Sequence, residues 1–227
     1  MSDSVTEFAA RRNEILKRIE AAAKAAGRDA SGIMLVGVSK KQPDVRIDEA
    51  LAVGQRVFGE NRVQEAQTRW ADRRGSYHDL ELRLIGPLQT NKAEQAVALF
   101  DVIETLDRLK LAKALKKAME TTGRTPGLYV QVNTGEEEQK AGVAPHEVAE
   151  FVRQLRDEFG FKIDGLMCIP PVEDPVGLHF ALLADLAAEN GIEKLSMGMS
   201  GDYEIAVKFG ATSVRVGSAL FGERPSA

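Results

Sequence analysis

Repeated alternation of strand-like and helical segments is the feature that most restricts the fold of this chain. Eight short β-like runs occupy residues 33–39, 57–59, 82–86, 102–106, 128–133, 163–169, 194–199 and 213–217. Segments with helical spacing of apolar residues lie between them at 44–53, 62–72, 91–99, 108–121, 145–158, 176–189 and 203–209. Strand followed by helix predicts a parallel sheet. Eight strands in 227 residues favour closure into an α/β barrel of the (β/α)8 TIM type over an open doubly wound sheet.

An extra helix is predicted before the first strand. Phe8, Ile15 and Ile19 keep helical spacing, and Gly27 supplies a C-terminal stop. Because no linker or internal repeat interrupts the pattern, we expect a single domain over residues 1–227.

Composition and charge narrow the classes of partner. Against 34 acidic residues the chain has 30 basic ones, and a net charge of −4 gives no general attraction for nucleic acid. Cys168 is the single cysteine, which fits a reducing compartment. The charged N-terminal segment is unlike a secretory signal, and no apolar run approaches the roughly 18 residues of a membrane span. We therefore expect a cytoplasmic protein with no nucleic-acid or membrane partner.

Side chains on a strand alternate between its two faces, and in the later strands one face is polar. The polar sets are Tyr129, Gln131 and Asn133; Ser196, Gly198 and Ser200; and Ser213, Arg215 and Gly217. Since helices cover the outside of a parallel barrel, the polar sets are predicted to face inward. They indicate either a ligand near the strand ends or an internal hydrogen-bond network.

Lys40 ends the first strand in the segment LVGVSK and shares parity with Val36 and Val38. Its amine is therefore expected at the C-terminal rim, where barrel active sites form. Lysine is the side chain that forms Schiff bases with carbonyl cofactors. On spacing alone, a surface charge is the alternative.

The segments after strands seven and eight predict a phosphate site. Ser200 follows strand seven, and Gly217 and Ser218 end strand eight, which are the positions that bind phosphate in many barrels. For Ser200, capping of the next helix is the alternative.

Two further residues have open interpretations. Arg215 faces inward and needs an acceptor; next to a pyridine nitrogen it would keep that nitrogen unprotonated, and a salt bridge to Glu60 is the alternative. Asn61 either bonds a ligand or caps the next helix. The three histidines have no metal-site spacing, and we predict no metal.

Several long segments carry a family resemblance: LVGVSK (35–40), GQRVFGENRVQEA (54–66), LIGPLQTNK (84–92), QVNTGEEEQKAGV (131–143), GLMCIPP (165–171), LSMGMSGDYEIAV (195–207) and VRVGSALFGER (214–224). In this order they resemble the pyridoxal 5′-phosphate (PLP) homeostasis proteins, the YggS/PROSC family, related to the N-terminal barrel of alanine racemase. The resemblance implies the type III PLP fold, PLP as a Schiff base on Lys40, and phosphate held by Ser200, Gly217 and Ser218. It also implies that Arg215 faces the pyridine nitrogen.

The resemblance further implies a PLP carrier or buffer that serves vitamin B6 and amino-acid homeostasis, without catalytic activity. Apo PLP-dependent enzymes are the implied recipients, and we expect a monomer or weak dimer. Racemases of the related fold add a C-terminal domain with a catalytic tyrosine, for which we expect no room before Ala227. A PLP-dependent racemase and a PLP-free sugar-phosphate isomerase are the competing hypotheses.

Two departures from the family pattern concern Arg83, where the family often has histidine, and Gln42, where it often has lysine. Both are expected to change contacts at the rim.

Overall fold

Eight strands pair side by side in chain order, and the last pairs with the first, so that the parallel sheet closes into a barrel. The protein is represented by a computed structural model that describes residues 3–222. The strands are β1 (Met34–Val38), β2 (Val57–Glu60), β3 (Glu81–Leu84), β4 (Val102–Leu106), β5 (Gly127–Val132), β6 (Gly165–Cys168), β7 (Lys194–Ser196) and β8 (Ser213–Val216). The predicted barrel is confirmed, and each predicted run overlaps one of these strands.

Nine α-helices accompany the strands within residues 3–222. They are α1 (Asp3–Ala25), α2 (Asp44–Ala52), α3 (Val63–Ser76), α4 (Ala93–Leu99), α5 (Leu109–Thr122), α6 (Val148–Asp157), α7 (Val176–Glu189), α8 (Tyr203–Lys208) and α9 (Ser218–Phe221). The predicted third segment, 62–72, is too short because α3 tolerates Gly75 and continues to Ser76. None of these helices is both long enough and apolar enough to cross a bilayer.

Helix α1 is the extra N-terminal helix, and it packs outside the seam between β8 and β1, against α2, α8 and α9. The Phe8 ring meets the Phe221 ring at 5.3 Å between centroids. Arg11 Nε donates to the carbonyl of Leu220 at 2.9 Å. The helix therefore holds α9, and with it the loop after β8, from the outside.

The strand faces divide largely as alternation predicts. Leu128, Val130 and Val132 are buried in the apolar layer beneath the helices, as is Val214. The opposite face of the same strands carries polar residues into the barrel. In β7 the alternation ends early: the strand stops at Ser196, and Gly198 adopts φ 90°, a left-handed conformation that glycine takes at little cost.

Candidate functional site

One cavity of about 300 Å³ at the C-terminal mouth of the barrel gathers all six residues singled out in the sequence. They are Lys40, Asn61, Ser200, Arg215, Gly217 and Ser218. The remaining lining is mostly apolar and consists of Val38, Gln42, Ile85, Ile169, Met199 and Gly201. Two basic side chains, the hydroxyls of Ser200 and Ser218, and apolar walls suit a flat, anionic ligand.

Lys40 lies in a turn directly after β1, which the amide of Gln42 closes by donating to the carbonyl of Ser39 at 3.1 Å. Lys41 adopts φ 58°, so the chain leaves the strand direction there, and Lys41 is exposed while Lys40 lines the cavity. The predicted parity with Val38 agrees with this arrangement, since Val38 lines the same cavity.

A buried brace behind this turn holds it in place. Arg69, on α3, donates to the carbonyls of Ser39 and Gln42, each at 2.8 Å. The same guanidinium pairs with the fully buried carboxylate of Glu60 at 2.9 Å. Glu60 also accepts from Ser39 Oγ at 2.7 Å and from Trp70 Nε1 at 2.9 Å. The turn that carries Lys40 is thus fixed on both sides by one arginine.

The loops after β7 and β8 meet at Ser200. Its Oγ accepts from the backbone nitrogen of Gly217 at 3.2 Å and from that of Ala219 at 3.4 Å. The hydroxyl therefore bonds the start of α9. Capping of α8 by Ser200, the alternative interpretation, is not what the structure shows, because Asp202 occupies the N-cap position of α8 and Ser200 Oγ bonds the amides of Gly217 and Ala219. The Ser200 oxygen accepts from both amides and keeps its own proton, so this hydroxyl and that of Ser218 are the donors that the site offers to an anion.

Arg215 projects from β8 into the barrel and is 3% exposed. It donates to Ser196 Oγ at 2.6 Å and to the carbonyl of Cys168 at 2.7 Å. The alternative salt bridge to Glu60 is wrong, since Glu60 lies on the outer face of β2 and pairs with Arg69. Burial raises the pKa of the neighbouring Cys168 thiol to about 12, so this thiol stays protonated beside the cavity.

Asn61 follows β2, and its Oδ1 is buried with no hydrogen-bond partner among the described residues. The N-cap position of α3 is occupied by Arg62, so Asn61 does not cap this helix. Gly86 packs directly against the Asn61 backbone, and a Cβ at Gly86 would lie 2.3 Å from the Asn61 carbonyl oxygen. The contact with Gly86 restrains the Asn61 backbone, and the side-chain oxygen is an acceptor that a ligand could satisfy.

Alternation missed part of the lining. Met199 was expected on the outer face, yet Met199 and Ser200 both line the cavity because Gly198 breaks the alternation. Ile85 and Ile169 follow the ends of β3 and β6, where strand patterning no longer predicts direction. Gln131 and Asn133, predicted to face either a ligand or an internal hydrogen-bond network, bond the following loop through the carbonyls of Ala141 and Glu137.

Arg83 does not lie at the rim, contrary to expectation. It points toward the N-terminal end of the barrel, where it lines a separate cavity with Met34 and Tyr129. Its partners are Glu81 at 2.6 Å and Glu104 at 2.9 Å. Burial lowers the pKa of Arg83, but the two carboxylates outweigh it and the net shift is upward. Gln42 does lie at the rim, where it accepts from Arg46 at 3.2 Å.

Comparison with known proteins agrees with this geometry. The sequence profile described as "Alanine racemase, N-terminal domain" matches residues 12–225. The chain is 40% identical to a pyridoxal phosphate homeostasis protein of Pseudomonas aeruginosa, over 93% of each chain. It is 38% identical to the protein of that name from Aquifex aeolicus, over 94% of this chain and 97% of the relative. The chain belongs to the pyridoxal phosphate homeostasis protein family.

Solved structures of this family and its neighbours share the barrel. PipY of Synechococcus elongatus, in a structure with PLP bound, is 38% identical, with a TM-score of 0.77 over 92% of this chain and all of PipY. Alanine racemase of Clostridium difficile is 18% identical with a TM-score of 0.67, and the chain covers 57% of it. At this level of identity, the likeness to alanine racemase shows a shared fold alone.

Proposed function

We propose that this chain binds PLP covalently through Lys40 and acts as a carrier or store of the cofactor in vitamin B6 and amino-acid homeostasis. The observation that carries the proposal is the meeting of Lys40, Arg215 and the Ser200–Gly217 pair around one cavity. The PLP-bound structure of PipY, at 38% identity, supports the same cofactor.

The residues present fit the chemistry of PLP. When bound, PLP supplies an aldehyde that condenses with a primary amine and releases water. Lys40 offers that amine. The hydroxyls of Ser200 and Ser218, which both line the cavity, offer donors for the phosphate. Asn61 Oδ1, buried and without a partner in residues 3–222, offers an acceptor at the cavity wall.

The titratable side chains of the cavity favour binding over catalysis. Of the residues that the structure describes in the lining, Lys40 and Arg215 are the ones that carry a titratable group. Racemisation needs an acid and a base on opposite faces of the substrate, and arginine stays protonated. An arginine at the pyridine nitrogen also disfavours protonation of that nitrogen and so weakens the ring as an electron sink. Both features support a carrier.

An absorption spectrum with borohydride reduction tests the covalent assignment. Wild-type protein loaded with PLP is expected to show a near-visible band that reduction abolishes, leaving a mass label on the Lys40 peptide. Lys40→Ala should lack both, whereas Lys41→Ala, at the exposed neighbouring lysine, should keep both. A reducible band retained in Lys40→Ala would show that another amine is used. Absence of any band in the wild type would instead favour the competing hypothesis of a sugar-phosphate isomerase that binds no PLP.

Two further measurements separate carrier from enzyme. PLP-loaded protein, mixed with an apo PLP enzyme, should restore that enzyme's activity. Retention of PLP by the loaded protein would indicate storage rather than delivery. Solvent deuterium exchange at Cα of a panel of amino acids should stay at the level of free PLP. Sustained exchange that depends on Lys40 would contradict the carrier proposal.

A further inference from the structure

A chain of charged and polar side chains runs through the barrel interior from the cavity to the opposite end. It starts at Arg215 on β8, passes Ser196 on β7, crosses to Glu104 on β4 and ends at Arg83 on β3. The successive heavy-atom distances are 2.6, 2.5 and 2.9 Å. All four residues are at most 5% exposed. The four strands are therefore linked by one buried network, of the internal kind that the polar strand faces left open as an alternative to a ligand.

The direction of each hydrogen bond in this network follows from the chemistry of the groups. A guanidinium only donates and a carboxylate only accepts. Ser196 must therefore accept from Arg215 and donate its single proton to Glu104. A hydroxyl can accept one hydrogen bond and donate another, so Ser196 links the two groups. The orientation of Arg215 therefore depends on the position of Glu104.

The network also explains how a buried guanidinium can face the cavity. Arg215 contacts a hydroxyl and a carbonyl rather than a carboxylate, and these two contacts occupy two of its five N–H groups. The balancing negative charge sits one residue further away, on Glu104, which Arg83 holds from the other side. A direct carboxylate partner would instead engage the guanidinium in a bidentate pair. The indirect arrangement leaves N–H groups for an acceptor in the cavity.

We propose that Ser196 and Glu104 are positioning residues that fix the guanidinium of Arg215 toward the cofactor ring, with Arg83 anchoring Glu104. This inference rests on the proposed function, since it assumes that Arg215 contacts bound PLP. Ser196 and Glu104 act through Arg215 and line no part of the cavity themselves.

The chain provides a matched control for the test. Ser213 is the cross-strand partner of Ser196, is 1% exposed, and its Oγ has no hydrogen-bond partner within residues 3–222. Ser196→Ala and Ser213→Ala therefore remove the same atom from neighbouring buried positions, and one of them breaks the network. Ser196→Ala should weaken PLP binding about tenfold, the effect of losing one hydrogen bond to a charged group. It should also shift the near-visible band and its pH dependence. Ser213→Ala should change neither.

A double-mutant cycle shows whether Ser196 acts through Arg215. In the Arg215→Gln background, Ser196→Ala should cause no further loss of PLP affinity, because the group that it positions is gone. Equal losses in both backgrounds would overturn the inference, as would identical spectra and affinities for the two serine variants. Either result, obtained while the wild type keeps its Lys40-dependent band, would reject the network's role and leave the proposed function intact. A wild type without that band would reject the proposed function instead.

Discussion

The side-chain oxygen of Ser200 lies 3.2 Å from the backbone nitrogen of Gly217 and accepts its hydrogen bond. This contact joins the loop after β7 to the loop after β8, whose sequence positions are 17 residues apart. The same oxygen also accepts from the amide of Ala219. The two loops that carry the hydroxyls of Ser200 and Ser218 are thus joined before any ligand is considered, so binding need not bring them together.

Ser200→Ala is expected to weaken PLP binding about tenfold, since one hydrogen bond to a charged phosphate is lost. Pyridoxal, which has no phosphate, should bind both proteins equally. Titration of each protein with the two ligands, followed by absorbance, measures the difference. Equal losses of affinity for both ligands would mean that Ser200 contacts a part of the ligand other than its phosphate.

Arg69→Met is expected to lower the free energy of unfolding by about 3–5 kcal/mol, because it leaves the buried carboxylate of Glu60 without its cation. It also removes both bonds to the Lys40 turn. Arg73→Met, one helical turn further, is the control: Arg73 pairs with Asp48, which is 60% exposed, and should cost no more than about 1 kcal/mol. Urea denaturation compares the two. Similar midpoints would mean that the brace adds nothing beyond a surface pair.

Gly86→Ala is expected to destabilise the protein by about 1–3 kcal/mol or more, because the new Cβ would lie 2.3 Å from the Asn61 carbonyl oxygen and 2.7 Å from its Cα. Backbone must move to relieve this contact. Gly75→Ala, inside α3 with no heavy atom within 4 Å of the added Cβ, should stabilise by about 0.5–1 kcal/mol. Thermal unfolding should therefore shift in opposite directions. An unchanged Tm for Gly86→Ala would mean that the Asn61 loop yields easily.

Cys168 is expected to resist thiol reagents in the folded protein at pH 8, because burial raises its pKa from 9.0 to about 12. Full labelling should appear in denaturant. Since the folded pKa lies above the unfolded one, this thiol's contribution to stability is complete below about pH 9 and is lost as the pH rises toward 12. The pH profile of unfolding should be flatter in that range for Cys168→Ala. Rapid labelling of the native protein would contradict the burial.

Local patterns were sufficient for the barrel, and for six residues of the cavity, because both depend on strand ends and on parity. The alternation along one strand predicts that Lys40 and Val38 share a face. The end of the apolar run in the last strand predicts the position of Gly217. Parity also decides against a pair between Arg215 and Glu60, since Gly59 takes the inward position on β2 and leaves Glu60 outside.

Partners that come from distant strands could not be read in this way. Arg215 is 19 residues from Ser196, and Ser196 is 92 residues from Glu104. Their contact depends on barrel closure and on the reach of each side chain. The position of Met199 depends on one glycine with positive φ, which no periodicity signals. These contacts, and the position of Met199, depend on the three-dimensional backbone path rather than on the local sequence pattern.

The pairing of β8 with β1 brings Val36 beside Arg215 and Gly37 beside Val216, although the two strands lie at opposite ends of the chain. Lys40 and the Ser200–Gly217 pair are therefore neighbours only when β8 is paired with β1. A polypeptide that lacks β8 has the amine of Lys40 but lacks Gly217 and Ser218, which are proposed to lie at the phosphate. Retention of the vitamin therefore reports that the ring is complete, and the ligand in turn favours the closed ring by mass action.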